Sequence, residues 1–155
     1  MTLLVIAFFF MEFVAWWSHK YVMHGFLWNW HLDHHRKDHR QGLPLKTEDK
    51  HFEKNDLFFL VYALPAIVLM GIGFTLMYRP FIYISIGITL YGLTYFVIHD
   101  IIIHHRVKIP FLIKPHKGYI QALVKAHTAH HKPKNKSDFN NYGLLVFPHR
   151  FFKEQ

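Results

Sequence analysis

Apolar and polar positions along this chain are sorted into separate blocks. Three runs are almost wholly apolar: Leu3 to Trp17, Leu57 to Tyr78 and Phe81 to Ile98. The first holds one acid, Glu12, and the other two carry no charge. At 1.5 Å per residue the second run reaches about 33 Å and the third about 27 Å, enough for a hydrocarbon core of roughly 30 Å. The first reaches only roughly 22 Å by the same rise. It is expected to continue as helix through Ser18–His24, with Trp16 and Trp17 near the interface. Only Tyr78, Arg79 and Pro80 separate the second and third runs, which predicts a tight helical hairpin. The pattern thus predicts an all-α integral membrane protein of about three to four spans.

Charge adds an orientation. The chain is 52% hydrophobic yet carries a net charge of +8 over 155 residues, a length that fits a single membrane-embedded domain, 1–155. Of 18 Lys and Arg, seven lie between Ser18 and Asp56, ten after Ile98, and Arg79 alone in the hairpin tip. The positive-inside rule therefore puts both basic segments in the cytoplasm and the N-terminus outside, across what is expected to be a bacterial inner membrane. A fourth span, for instance a re-entrant stretch around Ile109 to Val124, would carry the last basic segment to the wrong side and is disfavoured. Met1 to Phe10 lacks the basic region and cleavage site of a signal peptide, so it is read as a membrane helix that stays. Glu12, costly in a span, is read as facing the protein interior.

The candidate chemistry lies in histidine. There are 15, all in the two basic segments, and no cysteine, which excludes disulfides, thiolate zinc sites, iron–sulfur clusters and a cysteine nucleophile within this chain. Four clusters stand out. His19 and His24 form H-x4-H, and His31, His34 and His35 form H-x2-HH. His99 and His104 repeat H-x4-H with His105 added, and His127, His130 and His131 repeat H-x2-HH. Each half thus supplies one set of five in the same order after a span, a histidine-rich cytoplasmic cap of two pseudo-symmetric metal sites.

Spacing constrains how such sets bind. Positions i, i+3 and i+4 share one helix face, so each H-x2-HH can point three imidazoles into one cavity. H-x4-H fits less well, because five residues turn about 140° around a regular helix. Those pairs need either a sideways approach to one ion or a frayed or bulged helix, and spacing does not choose between them. Imidazole suits iron, zinc, copper and nickel. One zinc needs only three or four ligands, so ten histidines point to two ions. Asp33 and Asp100 sit inside clusters, where a carboxylate can orient a ligand ring through its other N–H. His39, His51, His116 and His149 fall outside the clusters and are read as surface or supporting groups.

With these residues in view, the chain resembles the fatty acid hydroxylase superfamily of membrane di-iron enzymes, and within it the bacterial β-carotene hydroxylases. The likeness runs from about Phe13 to His131. It is densest from His19 to His35, where Met23-His24-Gly25 and the tryptophans Trp28 and Trp30 match as well as the histidines. Glu53 to Leu57 and His99-Asp100 also look like that family, whereas Lys132 to Gln155 matches it loosely. The resemblance implies a metal-ligand set of His19, His24, His31, His34, His35, His99, His104, His127, His130 and His131, with His105 left out and no catalytic residue separate from the ligands. It implies two non-haem iron ions, O2 as co-substrate, and hydroxylation of C3 on the β-ionone rings of β-carotene to β-cryptoxanthin and then zeaxanthin.

The expected partners are a carotenoid in the bilayer, membrane lipid and a ferredoxin-type electron donor, whose acidity suits a basic face; no nucleic acid is expected. Phe8 to Phe10, Phe58, Phe59, Tyr91, Tyr95 and Phe96 are candidates to line a polyene channel. The rival readings are an acyl-chain or sterol hydroxylase or desaturase, a carotenoid ketolase, and a histidine-rich metal transporter. Transport requires ligands along a path through the bilayer, and the apolar runs Leu3–Trp17, Leu57–Tyr78 and Phe81–Ile98 contain no histidine.

Overall fold

The computed structural model describes residues 1–41, 54–132 and 141–153, with the side chains of 33 and 36–41 outside the description. Every regular element among the described residues is helical. Helix α1 spans Thr2–Trp17 and runs without a break into a π-helical segment, Ser18–Phe26; α2 follows over Trp28–Gln41. A short 3-10 turn, Lys54–Phe59, leads into α3 (Leu60–Thr75), and the hairpin returns as α4 (Arg79–Tyr95). Helix α4 continues into a second π-helical segment, Phe96–Ile103, and α5 covers Gly118–His131. A last 3-10 turn occupies His149–Phe152.

Three of these stretches are long and apolar enough to cross a membrane: Thr2–Phe26, Lys54–Thr75 and Arg79–Ile103. The helical continuation expected beyond Trp17 is present. The segment around 109–124 forms turns followed by the first half of α5, with no long apolar helix. Large apolar residues such as Phe9, Ile67, Phe74 and Leu93 lie exposed on the outer faces of these helices. That is costly against water and favourable against acyl chains, so the chain is an integral membrane protein.

Helix α4 is the centre of the bundle, packed between α1 and α3. Small residues let the backbones close in. A Cβ on Gly87 would stand 2.4 Å from the Leu4 carbonyl oxygen and 2.9 Å from the Ala7 Cβ. A Cβ on Gly73 would stand 2.8 Å from the Ile82 side chain, which draws α3 against α4 next to the hairpin tip. Pro80 sits in the first turn of α4, where its missing N–H costs nothing, after an extended Tyr78. At the other end of α1, Lys20 lies over the rings of Trp16 and Tyr21, 5.2 and 5.0 Å from their centroids. An aromatic girdle with a lysine beside it is what a membrane–water boundary selects.

A candidate metal centre

Both H-x4-H pairs lie on π-helix. His19 and His24 belong to Ser18–Phe26, and His99 lies in Phe96–Ile103 with His104 closing it. In a π-helix the N–H of one residue bonds the carbonyl five residues back, and the His104 N–H does so to the His99 carbonyl at 3.0 Å. The widened turn therefore brings residues five apart onto one face. The ring centroids are 5.1 Å apart for His19 and His24 and 4.4 Å for His99 and His104. The geometric objection to H-x4-H disappears once the helix changes type.

The structure brings nine of the ten expected ligands into two groups, all buried but the half-buried His24: His19, His24, His31, His35 and His130 in one, His34, His104, His127 and His131 in the other. Within each, one nitrogen per ring lies within 4.8 Å of every other. His99 stands at the edge of the second group, its ring 5.2 Å from His34, 4.4 Å from His104 and 4.9 Å from His127. His105 adopts a positive φ of 53° in the turn that follows the π-helix and joins neither group. His116 contacts the Leu112 carbonyl and the His149 ring packs on Phe152, both away from the centre. The side chains of Asp33 and His39, and the whole of His51, lie outside the description.

The grouping differs from the half-by-half sets that the sequence suggests. Each H-x2-HH splits two and one. His31 and His35, four apart on α2, join the first group, while His34 points to the second. On α5, His127 and His131 join the second group while His130 reaches the first. Residues four apart differ by about 40° around a helix and residues three apart by about 60° the other way. Two ions flanking a helix can therefore divide its three imidazoles, and each half lends one histidine to the other's site.

The donors fit a cation. In the first group, His19 Nε2 is 3.1 Å from His31 Nε2, and His31 Nε2 is 3.1 Å from His35 Nε2. His24 Nε2 is 3.2 Å from His35 Nε2 and 3.0 Å from His130 Nε2. The Nδ1–H of His19 donates to the Tyr142 carbonyl at 2.9 Å and that of His31 to Asn55 Oδ1 at 2.6 Å. A neutral imidazole has one N–H, so both Nε2 atoms present lone pairs to each other. Two lone pairs at that distance repel unless a positive ion stands between them. Nitrogens bound at about 2.1 Å and at right angles around one ion lie about 3.0 Å apart, which matches the spacing found. The second group repeats the pattern, with His127 Nε2 at 3.1 Å from His104 Nε2 and 2.9 Å from His131 Nε2.

Electrostatics keep the rings ready to bind. Burial first, then the neighbouring imidazoles, hold His31, His35, His104, His127 and His131 well below the usual imidazole range, hence neutral. Supporting contacts fix orientation. Asp100 accepts from His99 Nδ1 at 3.4 Å and from Arg106 at 3.0 Å, and Arg106 also grips Asp56 through both terminal nitrogens, at 2.5 and 2.8 Å. The orienting role expected of Asp100 thus has a geometry. Asn55, Asp56 and Arg106 were not singled out by spacing; the only pointer was the Glu53–Leu57 stretch. Asn55→Ala is expected to weaken metal binding about 10- to 100-fold, the usual loss for a partner that orients a ligand ring, measurable by competition with a chelator; unchanged affinity would show that Asn55 does not orient His31.

Beside the centre lies a cavity of about 500 Å³, bounded by α1, α3 and α4. His19, His99, Asn55, Asp100 and Arg106 form its polar end, and Ala15, Met23, Phe58, Tyr62, Tyr95 and Phe96 are among its apolar walls. Phe59 and Phe96 stand exposed at its edge, open to the lipid side. Of the aromatic residues considered for a channel, Phe58, Phe59, Tyr95 and Phe96 line it. Phe9 and Phe10 face outward, Phe8 packs on Tyr91, and Tyr91 is fully buried with its hydroxyl on Glu12.

Known proteins resemble this chain over most of its length. The fatty acid hydroxylase family model matches residues 4–153. A β-carotene hydroxylase of Pantoea ananas is 41% identical over 138 residues, covering 89% of this chain and 71% of that protein. One from Paracoccus sp. (strain N81106 / MBIC 01143) is 38% identical over 140 residues, covering 89% and 78%. A chloroplastic β-carotene 3-hydroxylase of an Oncidium hybrid cultivar is 36% identical over 144 residues, covering 88% of this chain and 41% of its own longer one. No solved structure matches the chain. With the family model spanning almost every residue and the histidines grouped as metal chemistry requires, the chain belongs to the fatty acid hydroxylase family.

Proposed function

We propose that this protein is an O2-dependent β-carotene 3-hydroxylase, a single-domain membrane monooxygenase that converts β-carotene to β-cryptoxanthin and zeaxanthin. The observation that carries the reading is a lipid-facing aromatic cavity ending on two groups of buried histidines, in a chain whose relatives bear that name. The ten histidines of the expected ligand set, His99 included and His105 left out, would hold two iron ions in this reading. Bound there, the ions would supply the redox chemistry by which one atom of O2 enters a ring C–H bond as hydroxyl and the other leaves as water, with two electrons and two protons taken up.

The chain's own residues do the rest. Phe58, Tyr62, Tyr95 and Phe96 receive an apolar ring and exclude water, so the ring carbon is presented to the polar end of the cavity without a competing solvent molecule. Asn55, Asp100 and the Tyr142 carbonyl lock the imidazoles in one tautomer, with the lone pairs turned inward. The histidine groups lie at the ends of the spans, where a bilayer-dissolved substrate and a water-borne reductant can both reach them. The excess of Lys and Arg in the two segments carrying them supports a cytoplasmic cap on an inner membrane, and suits an acidic ferredoxin as donor.

Expression in cells that accumulate β-carotene, followed by pigment extraction, tests the assignment. Zeaxanthin and β-cryptoxanthin are expected. A keto product would make the protein a ketolase, and an unchanged pigment with metal bound would end the carotenoid reading.

A further inference from the structure

Glu12 lies buried in the middle of a hydrophobic span, where a carboxyl group is costly unless its oxygens are fully engaged. They are. One oxygen accepts the backbone N–H groups of Leu144, Leu145 and Val146, each at 2.9 Å, and the other accepts the Tyr91 hydroxyl at 2.6 Å. Three consecutive N–H groups converging on one oxygen form a backbone nest, built for an acceptor. Gly143 makes room for it, since a Cβ there would stand 2.9 Å from the same Glu12 oxygen and 2.8 Å from the Val146 carbonyl.

The segment held in this way begins at the metal centre. Tyr142, next to Gly143, gives its carbonyl to His19 Nδ1. Its ring packs 5.6, 5.1 and 5.2 Å from the rings of His19, His24 and His130. Tyr119 adds a hydroxyl bond to the Leu145 carbonyl, and Leu144 is buried against Ile98, Ile102, Ile103 and Leu123. Among the described residues, the three histidines whose rings Tyr142 meets, His19, His24 and His130, all belong to the first group.

We propose that Glu12 is a positioning residue for one metal site: by anchoring the 143–146 nest inside the membrane-spanning bundle, it seats Tyr142 so that His19, His24 and His130 are held in binding geometry. The proposal rests on the reading that the histidine groups bind metal. Its action is selective, on the first group and not the second.

The test compares wild-type protein with Glu12→Gln, Glu12→Leu and Gly143→Ala, each purified in detergent and reconstituted with ferrous iron. Metal per chain is measured after gel filtration, and protease cleavage of the C-terminal segment is followed alongside. Glutamine keeps an acceptor oxygen for the three N–H groups and is expected to retain about two ions. Leucine removes the acceptor, and Gly143→Ala crowds it while leaving the span intact; both are expected to fall to about one ion and to cleave at least tenfold faster. Two ions in both of these variants would overturn the proposal, as would equal loss from both sites or failure of glutamine to rescue. Wild-type protein that binds no metal would refute the metal-centre reading and the proposal with it.

Discussion

His130→Ala is expected to cut hydroxylated product below about one hundredth of wild type, more than the 10- to 100-fold cost of losing a mere supporting contact. His130 is fully buried, and its Nε2 lies 3.0 Å from that of His24 in the first group. Truncation would leave a hole in that group while the neighbouring His127 and His131 stayed with the second. His149→Ala is the control, since its exposed ring packs on the Phe152 ring and belongs to neither histidine group, and it should keep normal conversion. Double substitutions identify the site that His130 serves, because changes at one site are not additive. His19→Ala with His130→Ala should cost no more metal than either alone, about one ion, whereas His127→Ala with His130→Ala should remove both. Full activity without His130, or metal loss in the opposite pattern, would show that the exchange between halves is wrong.

Filling the cavity should separate substrate from metal. Ala15 lies in its wall on α1, buried against the α3–α4 pair and one turn from His19. Ala15→Phe puts a ring into the space of about 500 Å³ that a substrate ring needs. Conversion is expected to fall about a hundredfold, the scale on which small misplacement of a reacting atom is felt. Overpacking costs about 1–3 kcal/mol of stability, so the measurement pairs pigment analysis with metal content. Two ions retained with product lost is the expected result. Unimpaired conversion would mean that the substrate ring enters elsewhere.

The membrane helices were legible because a span declares itself locally, by length and apolarity. The histidines were legible because they recur in matched spacings. Their geometry was not. His19 and His24 look misaligned on a regular helix, and only the backbone reveals that the helix is wound differently there. Likewise nothing in His31-x2-His34-His35 says that the motif divides, because the division depends on where α5 lies against α2, a contact between distant parts of the chain. The contact between Glu12 and the 144–146 backbone spans 132 to 134 residues and leaves no local mark beyond an acid in an apolar run.

The exchanged histidines have a mechanical consequence. His24 and His130 are 106 positions apart, and an ion held between them would tie the start of the chain to its end. In a chain without cysteine, that tie would act as a disulfide does, closing a loop of about one hundred residues, a length for which the chain-entropy model gives roughly 5 kcal/mol. The second ion, reaching from His34 to His131, would close a parallel loop from α2 to the same α5. The cofactor of such an enzyme is then also its buckle, and emptying the centre would slacken the cap that covers it.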